Sequence, residues 1–208
     1  MKRIDARSAM IDAAEAIVAE RGLAAMSLRE IQARAGQLNK NAAQYHFGNR
    51  EGLIAAVVEA RMAPINDRRW RMLAELDAAS PRQLVEALIS PLAQAVFSHP
   101  GSRYARFLAQ AAFDPQLSSM ITGHIRAGSA REALNRLVGS AGIPADLESS
   151  RILGLFIATI TTLAHWEATP ELFADPAALV VDLVDTATAA LLAPSSRPAD
   201  SQLSDQPA

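Results

Sequence analysis

Four polar side chains between residues 39 and 44 carry the chemistry needed to read base edges in a DNA groove. They are Asn39, Lys40, Asn41 and Gln44. Asparagine and glutamine amides can pair bidentately with adenine, and a lysine ammonium can reach guanine. Taken alone, these residues would also suit a solvated polar loop between core helices. The surrounding pattern is a capped helix, an Ala-Gly turn, a short polar helix and a Phe-Gly break, and it favours contact with DNA.

Side chains suited to phosphate oxygens flank this segment. Ser27 lies at a helix N-terminus and Arg50 opens a later helix, so both can bind the DNA backbone. Phe47 is interpreted as a core residue, whereas Tyr45 fits the core and a phosphate contact equally well. The predicted DNA-binding residues are Ser27, Gln37, Asn39, Lys40, Asn41, Gln44, Tyr45, His46 and Arg50.

Apolar spacing and stop signals predict the elements that position these residues. Ser27 followed by Glu30 is typical of a helix N-cap with an acid in the first turn. Gly36 follows the end of that helix, and Pro64 is expected to bend a longer one. The first four predicted helices cover residues 6–20, 27–35, 38–46 and 50–76.

The rest of the chain also favours helices, since Ala, Leu, Ile and Val dominate it and no alternating strand is found. Further predicted helices cover residues 81–98, 103–113, 115–138, 146–168 and 176–192. We therefore expect an all-α protein of about nine helices. The expected division is a three-helix DNA-binding head at residues 1–50, a helical body at 51–193 and a disordered tail at 194–208.

Two sequence stretches resemble the signature of TetR-family regulators. They read AMSLREIQARAG and QYHFGNREGLI, and the match covers about the first sixty residues. The resemblance implies an all-helical homodimer joined through the last two long helices, at about 146–168 and 176–192. It also implies double-stranded operator DNA as a partner and a small-molecule effector bound among the remaining helices of the body.

Two features depart from the commonest pattern of that family. Gln37 and Leu38 stand where Val-Ser is common, and the segment before Phe47 is one residue longer than usual. Gln44 occupies a position where an aromatic residue is common. The assignment of base contacts along this helix is therefore open by one position.

Aromatic and polar residues of the body are candidates for the effector pocket, although core packing is the alternative for each. The scarcity of charge that looks buried predicts an uncharged, hydrophobic ligand. The candidate pocket residues are Phe97, Arg103, Tyr104, Phe107, Phe113, Met120, His165 and Trp166.

Composition limits the remaining possibilities. Residues 1–71 carry 12 Lys or Arg against 8 Asp or Glu, and residues 72–208 carry 8 against 14, so a basic head precedes an acidic body. With no cysteine, no clustered histidines and no catalytic or nucleotide-binding motif, we expect no metal site, no cofactor and no enzyme activity. No long apolar run predicts a membrane span, and the cytoplasm is the expected location.

The sequence therefore predicts a repressor whose dimer spans successive major grooves of a near-palindromic operator and is released by its ligand. A helical ligand-binding protein or enzyme without DNA binding remains the alternative. A DNA-binding activator or a sequence-independent DNA-binding protein is a second one.

Overall fold

Nine α-helices and two short 3-10 turns make up the described part of this computed structural model, which covers residues 5–39, 41–99, 101–114, 123, 128–173 and 175–195. No strand occurs within these residues, so the all-α prediction is confirmed. The helices are α1 (Ala6–Arg21), α2 (Leu28–Arg34), α3 (Ala42–Phe47), α4 (Arg50–Ala74), α5 (Pro81–Phe97), α6 (Tyr104–Ala112), α7 (Ser129–Ala141), α8 (Glu148–Ala168) and α9 (Pro176–Leu192).

The first three helices and the start of α4 enclose a small apolar core. Met10 and Ile17 of α1, Ile31 of α2, Phe47 of α3 and Leu53 of α4 are all buried in it. In α1 the buried residues Met10, Ala14 and Ile17 recur at spacings of four and three, so they lie on one apolar face of the helix. Helices as short as α2 and α3 are only marginally stable in isolation. Burial of their apolar side chains in this core therefore stabilises them.

Helices α4 to α9 form the body, in which α6 packs on α8 and α5 packs on α4, α7 and α9. The buried apolar side chains of head and body belong to one continuous cluster. Helix α4 supplies core residues to both parts, since Leu53 and Val57 are buried near its start and Leu73 near its end. The expected boundary after residue 50 therefore falls at the beginning of a helix that both parts share.

Helix α4 includes Pro64 and ends at Ala74, close to the predicted end at residue 76. Two other predicted helix boundaries need correction. The polar helix begins at Ala42 rather than at residue 38, because residues 37–39 belong to the connection that follows α2. Of the predicted helix at 115–138, residues 115–122 and 124–127 lie outside the described residues, and α7 begins at Ser129 and continues to Ala141. The tail from residue 196 onward also lies outside them.

No helix in the described part of the chain is long and apolar enough to cross a membrane.

Candidate nucleic-acid interface and ligand cavity

The turn between α2 and α3 is held by side-chain amides. Gly36 adopts a φ of 65°, which lets the chain leave α2 sharply. The buried side chain of Gln32 donates from Nε2 to the carbonyl oxygen of Asn39 over 2.9 Å. Asn39 in turn accepts the backbone N–H of Asn41 on its Oδ1 at 3.0 Å. These bonds define the direction in which α3 starts.

Helix α3 divides cleanly into an inner and an outer face. Ala43 and Phe47 are buried in the head, as expected for Phe47. Gln44, Tyr45 and His46 are exposed, and Tyr45 keeps 86% of its surface accessible. The tyrosine is therefore not a core residue, and three polar or aromatic side chains project from one short helix.

A second tight turn joins α3 to α4. The Asn49 side chain caps α4 by accepting the backbone N–H of Gly52 over 2.7 Å. A Cβ atom at Gly52 would lie only 2.1 Å from the carbonyl oxygen of Phe47, so no larger residue fits this turn without a backbone shift. Arg50 donates from Nη2 to the carbonyl oxygen of Leu23 at 3.0 Å. Its guanidinium thus ties α4 to the turn after α1.

Most of the predicted DNA-binding side chains within the described residues are exposed on the head. Ser27 is exposed and caps α2 by accepting the N–H of Glu30 at 3.2 Å. Gln37 is half-buried and donates to the carbonyl oxygen of Ala35. Lys40 lies outside the described residues. The exposed members of the predicted set are Ser27, Asn39, Asn41, Gln44, Tyr45 and His46.

Sequence reasoning missed three residues that position this surface, namely Gln32, Asn49 and Gly52. Asn49 before Arg50-Glu51-Gly52 has the form of an N-cap signal and could have been recognised. The role of Gln32 could not be recognised, because the neighbouring sequence does not distinguish a buried glutamine on a helix from an exposed one.

Cations near α3 differ in their availability for DNA. Arg34 makes two hydrogen bonds of 2.7 Å to the carboxylate of Glu20, which lower the pKa of that carboxyl. Arg7 lies 5.9 Å from the centre of the Phe47 ring, and this places a positive charge beside α3.

Residues 10–57, which make up most of this head, match the family model described as bacterial regulatory proteins, tetR family. The head belongs to the TetR family. A curated relative, the HTH-type transcriptional regulator BetI of Rhizobium meliloti (strain 1021), is 32% identical over 83 residues. That match covers 40% of this chain and only 39% of the relative, so the chain spans less than half of it in this comparison.

Two solved structures resemble the whole described fold, including the body behind the TetR head. A transcriptional regulator from Rhodococcus sp. Rha1 has a TM-score of 0.57 at 22% identity and covers 90% of this chain and 96% of its own. The fatty acid degradation regulator FadR from Bacillus halodurans has a TM-score of 0.60 at 16% identity, with coverages of 90% and 97%. At these identities the likeness concerns the fold.

The residues predicted to line an effector pocket do not all border one cavity in the body behind the TetR head. Phe97 and Trp166 pack against each other with ring centres 4.5 Å apart. Phe107 is fully buried, whereas Phe113 is 68% exposed. His165 is exposed against Phe173, Arg103 is half-buried at the start of α6, and Met120 lies outside the described residues.

An apolar cavity of about 40 Å³ lies elsewhere in the body, where α4 to α8 meet. Of the predicted pocket residues it contains Tyr104 alone. Its other walls are mostly Leu, Ile and Val side chains, together with Met62, Phe156 and Thr159. Such a lining accepts the apolar part of a ligand.

Arg69 also lines this cavity, so the body buries at least one charge, which the search for buried-looking charge in the sequence did not identify. Only 3% of its surface is exposed, and burial lowers the pKa of its guanidinium to about 10. The guanidinium donates to the carbonyl oxygens of Ala87 and Leu88 at 2.9 and 3.1 Å and to the hydroxyl of Ser129 at 3.1 Å.

A larger cleft of about 420 Å³ lies between α1 and parts of α4 to α6, and two of the predicted pocket residues, Arg103 and Tyr104, line it. Arg61 also lines this cleft, and it donates from Nε to the buried carboxylate of Glu15 at 2.6 Å and from Nη2 to Asp12. Burial raises the pKa of the Glu15 carboxyl, although the hydrogen bond from Arg61 opposes this shift. An ion pair thus joins the first helix of the TetR head to α4.

Proposed function

We propose that this chain is a DNA-binding transcriptional regulator that acts as a repressor. The observation that carries the proposal is the division of α3, which buries Ala43 and Phe47 while Gln44, Tyr45 and His46 project outward. A helix of this kind can enter the major groove with its exposed side chains against base edges. The exposed Asn39 and Asn41 precede it, and Lys40 lies between them in the sequence.

Dimerisation through α8 and α9 is part of the proposal. Arg151 at the start of α8 donates to the carbonyl oxygens of Leu191 and Ala193 at the end of α9, so the two helices run antiparallel. Large apolar side chains remain exposed on them, including Leu153 at 61% and Val181 at 52%. A two-fold pairing of these faces would bury that apolar surface and place two α3 helices on one operator.

The effector would act through α4. Val58, Met62 and Arg69 of this helix line the apolar cavity, and its first residues form part of the head core. A ligand that widens the cavity would therefore change the position of the head and lower the population that fits the operator. We propose that the protein works in the cytoplasm beside the chromosome, without a cofactor and without catalysis.

Selection of DNA fragments from a random pool by the purified protein tests the proposal. The variant Lys40→Ala, Gln44→Ala removes two of the proposed base-reading groups, and Arg131→Ala removes an exposed cation of α7 in the body. We expect the wild type and Arg131→Ala to enrich the same near-palindrome and the double variant to lose it. Equal recovery of all fragments by every protein would instead indicate sequence-independent binding, and no recovery would favour a ligand-binding protein without DNA activity.

The sign of regulation needs a separate measurement. A reporter gene placed behind the selected sequence is expected to be silenced by the wild-type protein and expressed with the double variant. Higher expression with the wild type would identify an activator.

A further inference from the structure

Arg69 is a buried cation without a counter-charge among the described residues. The acceptors of its hydrogen bonds are all neutral: two backbone carbonyls, the Ser129 hydroxyl and the side-chain oxygen of Asn66. A buried charge without an ion-pair partner is costly, because water no longer solvates it and neutral dipoles compensate it only in part.

The geometry of the guanidinium leaves room for one more partner. An arginine carries five N–H donors, two of them on Nη2. Nε donates to Ala87, Nη1 donates to both Asn66 and Ser129, and Nη2 donates to Leu88. One N–H of Nη2 therefore has no acceptor among the described residues, and the same side chain forms part of the cavity wall.

The other polar side chains of the cavity lining do not compete with Arg69 for a charged ligand group. Tyr104 lines both this cavity and the cleft beside α1, and the charges that act on the pKa of its phenol are those of Glu15 and Arg61 in that cleft. Thr159, another polar side chain of the lining, already donates to the carbonyl oxygen of Leu155 at 2.8 Å. The polar group still available in this otherwise apolar cavity is thus the Arg69 cation.

We infer that the effector is an amphipathic monocarboxylate whose carboxylate pairs with Arg69 while its apolar body occupies the cavity. This inference rests on the proposed function, since it specifies the ligand of the proposed regulatory site. A carboxylate accepts two or more hydrogen bonds and matches one guanidinium in charge. A phosphate monoester carries nearly two charges at neutral pH, and a single buried cation would leave one of them unpaired.

The size of the cavity adds a consequence. Ligand pockets commonly measure roughly 300–1,000 Å³, so the cavity of about 40 Å³ must widen to admit even a short-chain carboxylate. Widening must move at least one of the helices α4 to α8, because all five supply side chains to the cavity wall. Part of the free energy gained by pairing Arg69 would then offset the cost of this movement.

Isothermal titration calorimetry of the full chain with matched probes tests the inference. The probes are straight-chain carboxylates from butanoate to dodecanoate and the primary alcohols of equal chain length. We expect at least one carboxylate to bind about tenfold more tightly than its alcohol, or better. In Arg69→Gln this ratio should fall to about one. In Arg136→Gln, which removes a half-buried arginine remote from the cavity that donates to Leu73 and Leu76, it should persist.

Methyl esters of the same carboxylates provide a second comparison that needs no variant. They keep the chain and the carbonyl group but lack the charge, so the wild type should bind them about as weakly as the alcohols, and this comparison tests the inference if Arg69→Gln does not fold. Esters that bind as tightly as the carboxylates would contradict it. The inference is overturned if no carboxylate binds, if alcohols bind as well as carboxylates, or if the preference survives in Arg69→Gln. Because calorimetry needs no DNA, failure to select an operator would refute the regulator while the ligand class is still measured.

Discussion

The side chain of Gln110 on α6 donates from Nε2 to the carbonyl oxygen of Val18 near the end of α1, over 2.8 Å. Its Oε1 accepts the backbone N–H of Leu23, in the turn after α1, at 3.1 Å. The Val18 carbonyl already accepts the N–H of Gly22 at 2.9 Å, so Gln110 adds a second donor to it and supplies an acceptor to the Leu23 N–H just beyond α1. This amide joins the DNA-binding head directly to a helix whose Tyr104 and Leu108 line the apolar cavity.

Replacing Gln110 with Leu should lower both stability and coupling. Loss of two partly buried hydrogen bonds is expected to reduce the free energy of unfolding by about 1–2 kcal/mol, measured by urea denaturation. The effect of bound ligand on operator affinity should also become smaller, while the variant still binds the ligand without the operator and the operator without the ligand. Gln94→Leu, at another half-buried position on α5, is the matched control. If ligand binding changes operator affinity as much in Gln110→Leu as in the wild type, the signal passes from the cavity to the head through α4 alone.

Gly52→Ala should destabilise the turn that orients α3. The added methyl would collide with the carbonyl oxygen of Phe47, which is backbone and can move only with the helix. We expect a loss of about 2–4 kcal/mol in the free energy of unfolding, together with weaker operator binding.

The same substitution at Gly139 is the control for Gly52. A Cβ atom there meets nothing within 4 Å, and the residue lies exposed inside α7. Gly139→Ala should therefore raise stability by about 0.5–1 kcal/mol, since alanine is the better helix former. Equal effects of the two changes would contradict the steric explanation.

Charge on the exposed faces of α8 and α9 should disrupt the proposed dimer. We expect the double variant Leu153→Arg, Val181→Arg to show monomer mass in light scattering at micromolar concentration and to bind the operator weakly, because two buried cations per subunit would oppose pairing. Trp70→Arg, on α4, places a cation at another half-exposed apolar position and should leave the mass unchanged. A wild-type protein of monomer mass would refute this mode of assembly.

The Glu15 carboxyl predicts a pH dependence of stability. Since burial raises its pKa in the folded state above the ordinary value of 4.5, the ionised carboxylate costs free energy on folding at neutral pH. As the pH falls from the folded pKa to 4.5, the wild type should gain stability relative to Glu15→Gln, with no further gain below 4.5. Urea denaturation across this range, with Glu59→Gln on exposed α4 surface as a reference, measures the difference. A wild type that instead loses stability relative to Glu15→Gln over this interval would show that Arg61 outweighs burial.

Local sequence was sufficient to predict the elements of the head. The Ser27 cap, the Gly36 turn and the break at Gly48 depend on the conformational preferences of single residues, so they are visible without the fold. The spacing of apolar residues likewise predicted the helices of the body. The start of α3 was predicted too early, because the Gln32 and Asn39 hydrogen bond holds residues 37–39 in the turn, and that bond depends on a residue from the preceding helix.

The sequence alone does not indicate which charged side chain is buried in the body. Arg68, Arg69 and Arg71 follow one another closely, and only the rotation of α4 against α5 and α7 buries Arg69 while the other two stay exposed. The cavity likewise depends on tertiary packing, since side chains from five helices form its walls. The sequence by itself determined helix type, order and the exposed polar face of α3, because these follow from neighbours within a few residues. The tertiary structure alone decided the cavity and its cation, because both depend on how distant helices pack.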